Sequence, residues 1–294
     1  MASTRDIKRR LSSIDNTRQI TRAMEMVAAT KMRKAQEAVR AGRAYGERAQ
    51  ELLAEVSAES DGRDQPLLAR RPIKKTGVVL VTSDRGLAGA MNTNVLKAGL
   101  EAASAGAARA GSGQSTFVPV GRKAEQALSA RKLPMTAAFS GLLDTPEYQE
   151  VLPIAEILIN DFTEGKLDAI DLVYPKFVST LRNEAVVERL LPATLPDKSE
   201  GGAGAKPGAK ALLTFEPSPE EVLTALLPRL IEIRLFTALL ETKASEHSSR
   251  MIAMRNATGN AEDLLDALKL SYNQARQQAI TTEVAEIAAA SATK

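Results

Sequence analysis

From Ser218 to about Ala290, small or apolar residues recur every three or four positions for some sixty residues, and no proline follows Pro228. The stripe runs through Leu226, Leu230, Ile233, Thr237, Leu240 and Ala244. It continues through Ser248, Met251, Met254, Thr258, Ala261, Leu265, Leu268, Tyr272, Ala275 and Ala279. That is the spacing of one face of a coiled-coil helix. Ser218-Pro219-Glu220-Glu221 marks its start with a hydroxyl cap, a proline at the first helical position and an acidic first turn. At 1.5 Å per residue such a helix is roughly 100 Å long, beyond the diameter of a globule built from the whole chain. Its stripe needs a cover.

The first sixty residues carry the matching pattern. Ile7, Leu11 and Ile14, then Met24, Ala28, Met32, Ala35, Val39, Gly42, Tyr45, Ala49, Leu52 and Val56 fall three or four apart, interrupted by the polar Thr17, Arg18 and Thr21. The two stripes pair naturally. Both are rich in Ala, Gly, Ser and Thr, which lets backbones approach closely but buries little area per residue, and hydrophobic stabilisation scales with area at about 25 cal/mol per Å².

Composition agrees with a helical assembly: 44% of the 294 residues are hydrophobic, yet only 3% are aromatic and none is tryptophan. With no cysteine there is no disulfide, no thiolate metal site and no cysteine nucleophile. A lone histidine, His247, without ligand-spaced neighbours argues against zinc; it reads as an exposed or seam-edge residue. No apolar run approaches the roughly 18 residues needed to cross a bilayer.

Charge is uneven. Residues 1–48 hold twelve Lys and Arg against five Asp and Glu, an excess of seven, so the overall +3 leaves −4 for the rest. A basic helix favours an acidic neighbour, with nucleic acid or anionic lipid as alternatives and a solvated face as the bland reading. Asp6, Asp15 and the stripe continuing to Val56 argue against a transit peptide.

The period changes between the helices. Gly77 to Thr82 is a short apolar run suited to a strand covered on both faces. Thr116–Gly121 and Met135–Phe139 read as two more strands, with a helix through Leu128 between them. Glu147–Phe162 reads as a helix, and Ala169–Pro175 and Ala185–Leu190 as further strands. Alternating short strands and helices imply an α/β layer structure with a mostly parallel sheet. The Gly/Ala-rich run Glu200–Ala209 reads as a flexible surface loop, about 197–210.

Ser83-Asp84-Arg85-Gly86-Leu87-Ala88-Gly89-Ala90, after the first strand, invites comparison with nucleotide-binding loops. It lacks both the Lys-Ser/Thr of a P-loop and the GxGxxG of a dinucleotide loop. Its glycines suit a tight strand-to-helix turn, with Asp84 and Arg85 as local hydrogen-bonding groups.

The expected fold class is therefore α/β plus a long antiparallel coiled coil. N- and C-terminal helices, residues 1–60 and 218–290, form a shaft, and a Rossmann-like α/β domain, residues 74–215, is inserted between them.

Particular residues sharpen this. The run from Ile14 to Met32, IDNTRQITRAMEMVAATKM, closely resembles the opening motif of the gamma subunit of rotary F-type ATP synthases. Ala244-Ser245-Glu246-His247, Arg250-Met251, Met254 and Asn256-Ala257-Thr258 are similar to that family's C-terminal signature. So are Tyr272-Asn273-Gln274-Ala275-Arg276-Gln277 and Ile280-Thr281-Thr282-Glu283, and Ser83 to Leu87 match its central turn. The resemblance spans nearly the whole chain. It departs at Ala88, where many members have cysteine, at Ala90, which replaces a glycine, and in the loop near residue 204.

The resemblance implies a non-catalytic central shaft, without cofactor or metal, turning inside a ring of alpha and beta subunits and coupling proton flow through a membrane ring to ATP synthesis or hydrolysis. Met24 matches a position facing the acidic loop of a catalytic subunit. Glu246, Arg250, Arg276, Gln277, Thr281 and Glu283 match positions where the C-terminal helix meets the ring, and Glu216 resembles one at the foot beside the membrane c-ring. Implied partners also include an epsilon subunit and an inhibitory subunit, with no nucleic acid and no direct membrane insertion. The implied location is peripheral, on the cytoplasmic face of a bacterial inner membrane. Two rival classes are a nucleic-acid-binding coiled coil, which would use the basic first helix but lacks aromatic platforms, and an α/β enzyme with helical arms, for which no site is visible.

Overall fold

The computed structural model describes residues 4–59, 65–109, 114–144, 146–194 and 215–292. Helix α1 spans Thr4–Glu59 and α5 spans Pro219–Ala292. Between them in sequence lie β1 (Lys75–Val81), α2 (Met91–Arg109), β2 (Gln114–Val120), α3 (Arg122–Ala130), α4 (Leu152–Thr163), β3 (Ala169–Phe177) and β4 (Asn183–Leu191). The chain packs as two compact units, one of Met1–Thr30 with Arg250–Lys294 and the other Lys31–Ser249.

The larger unit is a sheet domain with segments of both long helices. Strand order is β2-β1-β3-β4, with β1 parallel to β2 and β3 and with β4 antiparallel at the edge. The pleat of β1 explains its uniformly apolar run. Val78 and Leu80 face α2 and α3 through Val95, Ala103, Ala124 and Leu128. Val79 and Val81 face a second layer built from Ile154, Leu158 and Phe162 of α4, Leu223, Leu227 and Ile231 of α5, and Leu53 and Val56 of α1.

Here α5 departs from the single stripe. Leu223, Leu227, Ile231, Leu235, Ala238 and Leu239, all off that stripe, are buried as well. From residue 238 to 250 every residue except Lys243 is buried. A helix that is covered all round has neighbours on every face, and this stretch meets α1 on one side and the sheet on another. The cap follows expectation: the Glu221 amide donates to Ser218 Oγ at 3.3 Å, and Pro228 lies inside α5 without ending it.

Two expected elements differ. Met135–Phe139 forms only isolated parallel bridges, Met135 with Phe117 and Phe139 with Val120. The offset slips by one residue across Pro119, which has no N–H to continue the ladder. Glu147–Phe162 divides into a 3₁₀ turn at Tyr148–Val151 and then α4, whose second residue is Pro153. Proline fits the first turn of a helix but not an interior, so α4 starts there. The Gly/Ala-rich run and the loop about 197–210 lie outside the described residues.

In the smaller unit the helix ends run antiparallel. Met251, Met254, Thr258, Ala261 and Leu265 of α5 are buried, as are Ile7, Thr21 and Ala28 of α1. The polar interruption of the first stripe is bridged where it occurs, since the Thr21 and Thr258 hydroxyls meet at 2.8 Å. One hydroxyl donates to the other, which donates to a carbonyl of its own helix, Arg18 for Thr21 or Met254 for Thr258, so no buried hydroxyl proton is stranded there. Two long side chains flank the seam: Arg18 lies 3.8 Å from Glu262, and Arg255 pairs with Glu25 at 2.8 Å. These are surface ion pairs, each contributing about 0–1 kcal/mol.

Candidate functional site

The nucleotide reading of the loop after β1 fails on chemistry. Helix α3 follows β2 through Gly121, whose φ of 106° suits glycine alone. A Cβ there would sit 2.0 Å from the Thr82 carbonyl oxygen. The helix N-terminus is an anion-binding position, and Asp84 fills it: its Oδ1 accepts from the Arg122 amide at 2.9 Å and the Gly141 amide at 3.1 Å. The Thr82 hydroxyl accepts from the Ala124 amide at 2.8 Å, and Arg85 pairs with Asp144 at 2.9 Å. The loop is tied by its own side chains.

The residues assigned by resemblance fall in four environments. Met24 is half-buried on α1 in the smaller unit, one residue before Glu25, whose carboxylate holds Arg255. Arg276, Gln277, Thr281 and Glu283 lie on the last exposed turns of α5. The Thr281 hydroxyl donates to the Gln277 carbonyl at 2.8 Å, so it is engaged with its own helix. Glu216 is exposed, three residues before α5 begins.

Glu246 and Arg250 are different: they are 5% and 9% exposed, buried in the stretch of α5 that is covered all round, and both interact within the chain. His247 is 7% exposed and also partnered, which corrects the exposed alternative of its reading. Neighbouring Lys243 stays half-buried, its ammonium bonded to the Asp144 carbonyl. Burial lowers its pKa, and Lys31 and Lys34 nearby add to that.

The stripe missed the end of α5. Ile280, Val284 and Ile287, at i, i+4 and i+7, are 52%, 59% and 65% exposed. They form an apolar line among the polar residues of the same turns, and the chain itself does not cover it. The signal was present in the sequence, because the spacing is helical, but the line sits off the Ala275–Ala279 register. No described helix is long and apolar enough to cross a membrane.

The chain thus combines a mostly parallel α/β sheet with two long terminal helices whose ends pair antiparallel, one of them bearing exposed polar and apolar positions. The comparisons with known proteins name the family. The ATP synthase family model matches residues 3–293. The ATP synthase gamma chain of Moorella thermoacetica is 43% identical over 290 residues, covering 98% of both chains. That of Opitutus terrae is 40% identical over 298 residues, covering 99% of this chain and 98% of the relative. Among solved structures, a chain of the Euglena gracilis mitochondrial ATP synthase assembly of OSCP, F1 and c-ring matches with a TM-score of 0.65 at 18% identity, covering 99% of this chain and 94% of that one. A chain of the Tetrahymena thermophila mitochondrial central stalk and c-ring matches with a TM-score of 0.58 at 23% identity, covering 81% and 99%. This chain belongs to the ATP synthase gamma family, the central-stalk subunits of rotary ATP synthases, non-catalytic in themselves.

Proposed function

We propose that the exposed end of α5, with Met24 of α1, is the surface that slides against the ring of alpha and beta subunits. The observation that carries this is the mixed character of that end. Arg276, Gln277, Thr281 and Glu283 supply polar groups that exchange partners at small net cost at a wet interface, and Ile280, Val284 and Ile287 supply an apolar track needing a cover. A single asymmetric helix pair in a threefold ring presents a different face to each catalytic subunit, so turning it favours an open site in one and a closed site in another through differential contact.

Glu246 and Arg250 enter differently. Buried as they are, they support this surface by holding α5 in place and offer partners little area. Glu216 is proposed to face the membrane c-ring, and an epsilon subunit to join the same foot. The functional parts of the chain, in this reading, are the helix of residues 1–60, the α/β domain of 74–215 and the helix of 218–290. The assembled location is the cytoplasmic face of a bacterial inner membrane.

The test is a fourfold change, R276A/Q277A/T281A/E283A, in the complete complex. Tagging the chain and quantifying what is recovered should return alpha and beta subunits in threefold excess for the parent. The fourfold variant should lose more than half of its ATP-driven ion pumping. Unchanged pumping would remove these residues from the contact.

A further inference from the structure

One acid of the larger unit is buried deeper than any surface role needs. Glu241 of α5 is 2% exposed and accepts three hydrogen bonds from two partners. Arg43 of α1 grips it with two hydrogen bonds, Nε to Oε1 at 2.6 Å and an Nη to Oε2 at 2.9 Å. The Phe177 amide, at the end of β3, donates to Oε2 at 2.7 Å. The ring closes because the same Arg43 guanidinium also donates to the Phe177 carbonyl at 2.7 Å. Three elements, α1, α5 and β3, meet in one hydrogen-bonded circuit.

The circuit begins a polar seam. Ser245, one turn along α5, donates to the Pro175 carbonyl at 2.9 Å, Ser248 donates to the Thr180 carbonyl, and Ser249 accepts from the Asn183 side chain at 2.7 Å. These four positions, i, i+4, i+7 and i+8, form one face of α5 laid against the end of β3, the turn after it and the first residue of β4. This accounts for a buried run that is polar where a helix–sheet contact is normally apolar. Hydrophobic contacts resist separation but tolerate sliding. Directed hydrogen bonds to backbone groups at fixed positions resist sliding too.

We propose that the Arg43–Glu241–Phe177 circuit is a torque-bearing joint, in which Arg43 and Glu241 act as positioning residues that make the sheet turn in register with the helix pair. The proposal rests on the rotary reading of the family. Rotation imposed on the helices reaches the sheet through such contacts, and directed hydrogen bonds are the ones that resist sliding. Glu241 is the hub because its two oxygens serve both an adjacent helix and a strand. Glu241→Gln removes the charge and one of the two acceptor oxygens that the Arg43 fork and the Phe177 amide use.

The test uses inside-out membrane vesicles bearing the complete complex with Glu241→Gln. The reading is the ratio of ions pumped to ATP hydrolysed, at increasing opposing gradient. Parent complex should hold a constant ratio. The variant should match it at no load and fall at least threefold below it at high gradient, as the joint slips. Arg43→Lys, which retains the charge but cannot fork to both Glu241 and Phe177, should fall about halfway. A merely structural role would lower assembled complex and both activities together, without load dependence. A variant ratio equal to the parent's at every gradient overturns the proposal, as does failure of both variants to assemble, which would make the pair a folding requirement. Absence of ATP-driven pumping in the parent would instead count against the rotary reading itself.

Discussion

The same helix, α5, lives in two different environments. Between residues 251 and 265 it buries one stripe, Met251, Met254, Thr258, Ala261 and Leu265, and leaves the rest to solvent. Between residues 223 and 237 it buries a broad leucine and isoleucine face, and from 238 to 249 it is surrounded, with apolar and hydrogen-bonded polar groups on all sides but Lys243. The smaller unit relies on a narrow seam of Met, Leu, Ala and Thr side chains, one buried Thr–Thr hydrogen bond and exposed ion pairs. The larger relies on a two-layer core with directed polar contacts. A surface that has to release and re-form contacts suits the first arrangement, and a body that has to keep its geometry under load suits the second.

The largest change that breaks this comparison lies in the sheet unit, away from any helix seam. Gly121→Ala places a Cβ against the Thr82 carbonyl oxygen at a φ that alanine disfavours. Chemical denaturation should show a loss on the order of 3–5 kcal/mol. Next, truncating Leu227, 1% exposed beneath the sheet, should cost about 2–5 kcal/mol, whereas Leu268→Ala on the half-buried seam should cost roughly 1 kcal/mol. Equal costs would erase the distinction between the two regions.

Coupling is the third measure. Met24→Lys adds a cation to an already basic helix and should impair pumping per ATP while leaving the stability of the sheet unit within about 0.5 kcal/mol. Normal coupling in vesicles carrying the change would detach Met24 from the proposed contact.

Ionisation gives the smallest effects, at opposite ends of the pH scale. Tyr174, on β3, donates to Glu188 at 2.9 Å, and burial together with that carboxylate raises its pKa well above the usual tyrosine range. The unfolded chain releases this proton at ordinary alkaline pH while the folded chain keeps it, so sheet-unit stability falls as pH rises past about 10. The phenolate absorbance of Tyr174 should therefore appear only with unfolding, and Tyr174→Phe should remove that component. In the smaller unit, the Arg18 guanidinium lowers the Asp15 pKa. Its contribution is complete above the usual aspartate range and lost as pH falls below about 4. Asp15→Asn should slightly flatten the acid limb of hydrogen-exchange protection at this seam.

Much of the fold could be read from periodicity: two long helices from a sustained three-to-four repeat, a parallel core strand from an unbroken apolar run, and the α5 cap from Ser218-Pro219. Local chemistry marks such features, and it lies within a few residues of each. What escaped depended on partners far along the chain. Arg43 and Glu241 are 198 positions apart, and nothing in either neighbourhood announces the other. His247 reads as exposed because a one-dimensional stripe has only one inside, while the folded helix is covered all round at that point. The slip at Pro119 required knowing which strand lay alongside.

The sequence by itself determined that this chain makes two long, small-residue helices flanking an α/β layer, because helical and strand periods are properties of neighbouring side chains and the backbone. Only the tertiary structure decided which stretch of α5 stays a one-sided seam and which becomes the buried axis of a domain, because burial is set by everything that packs around a residue, however distant along the chain.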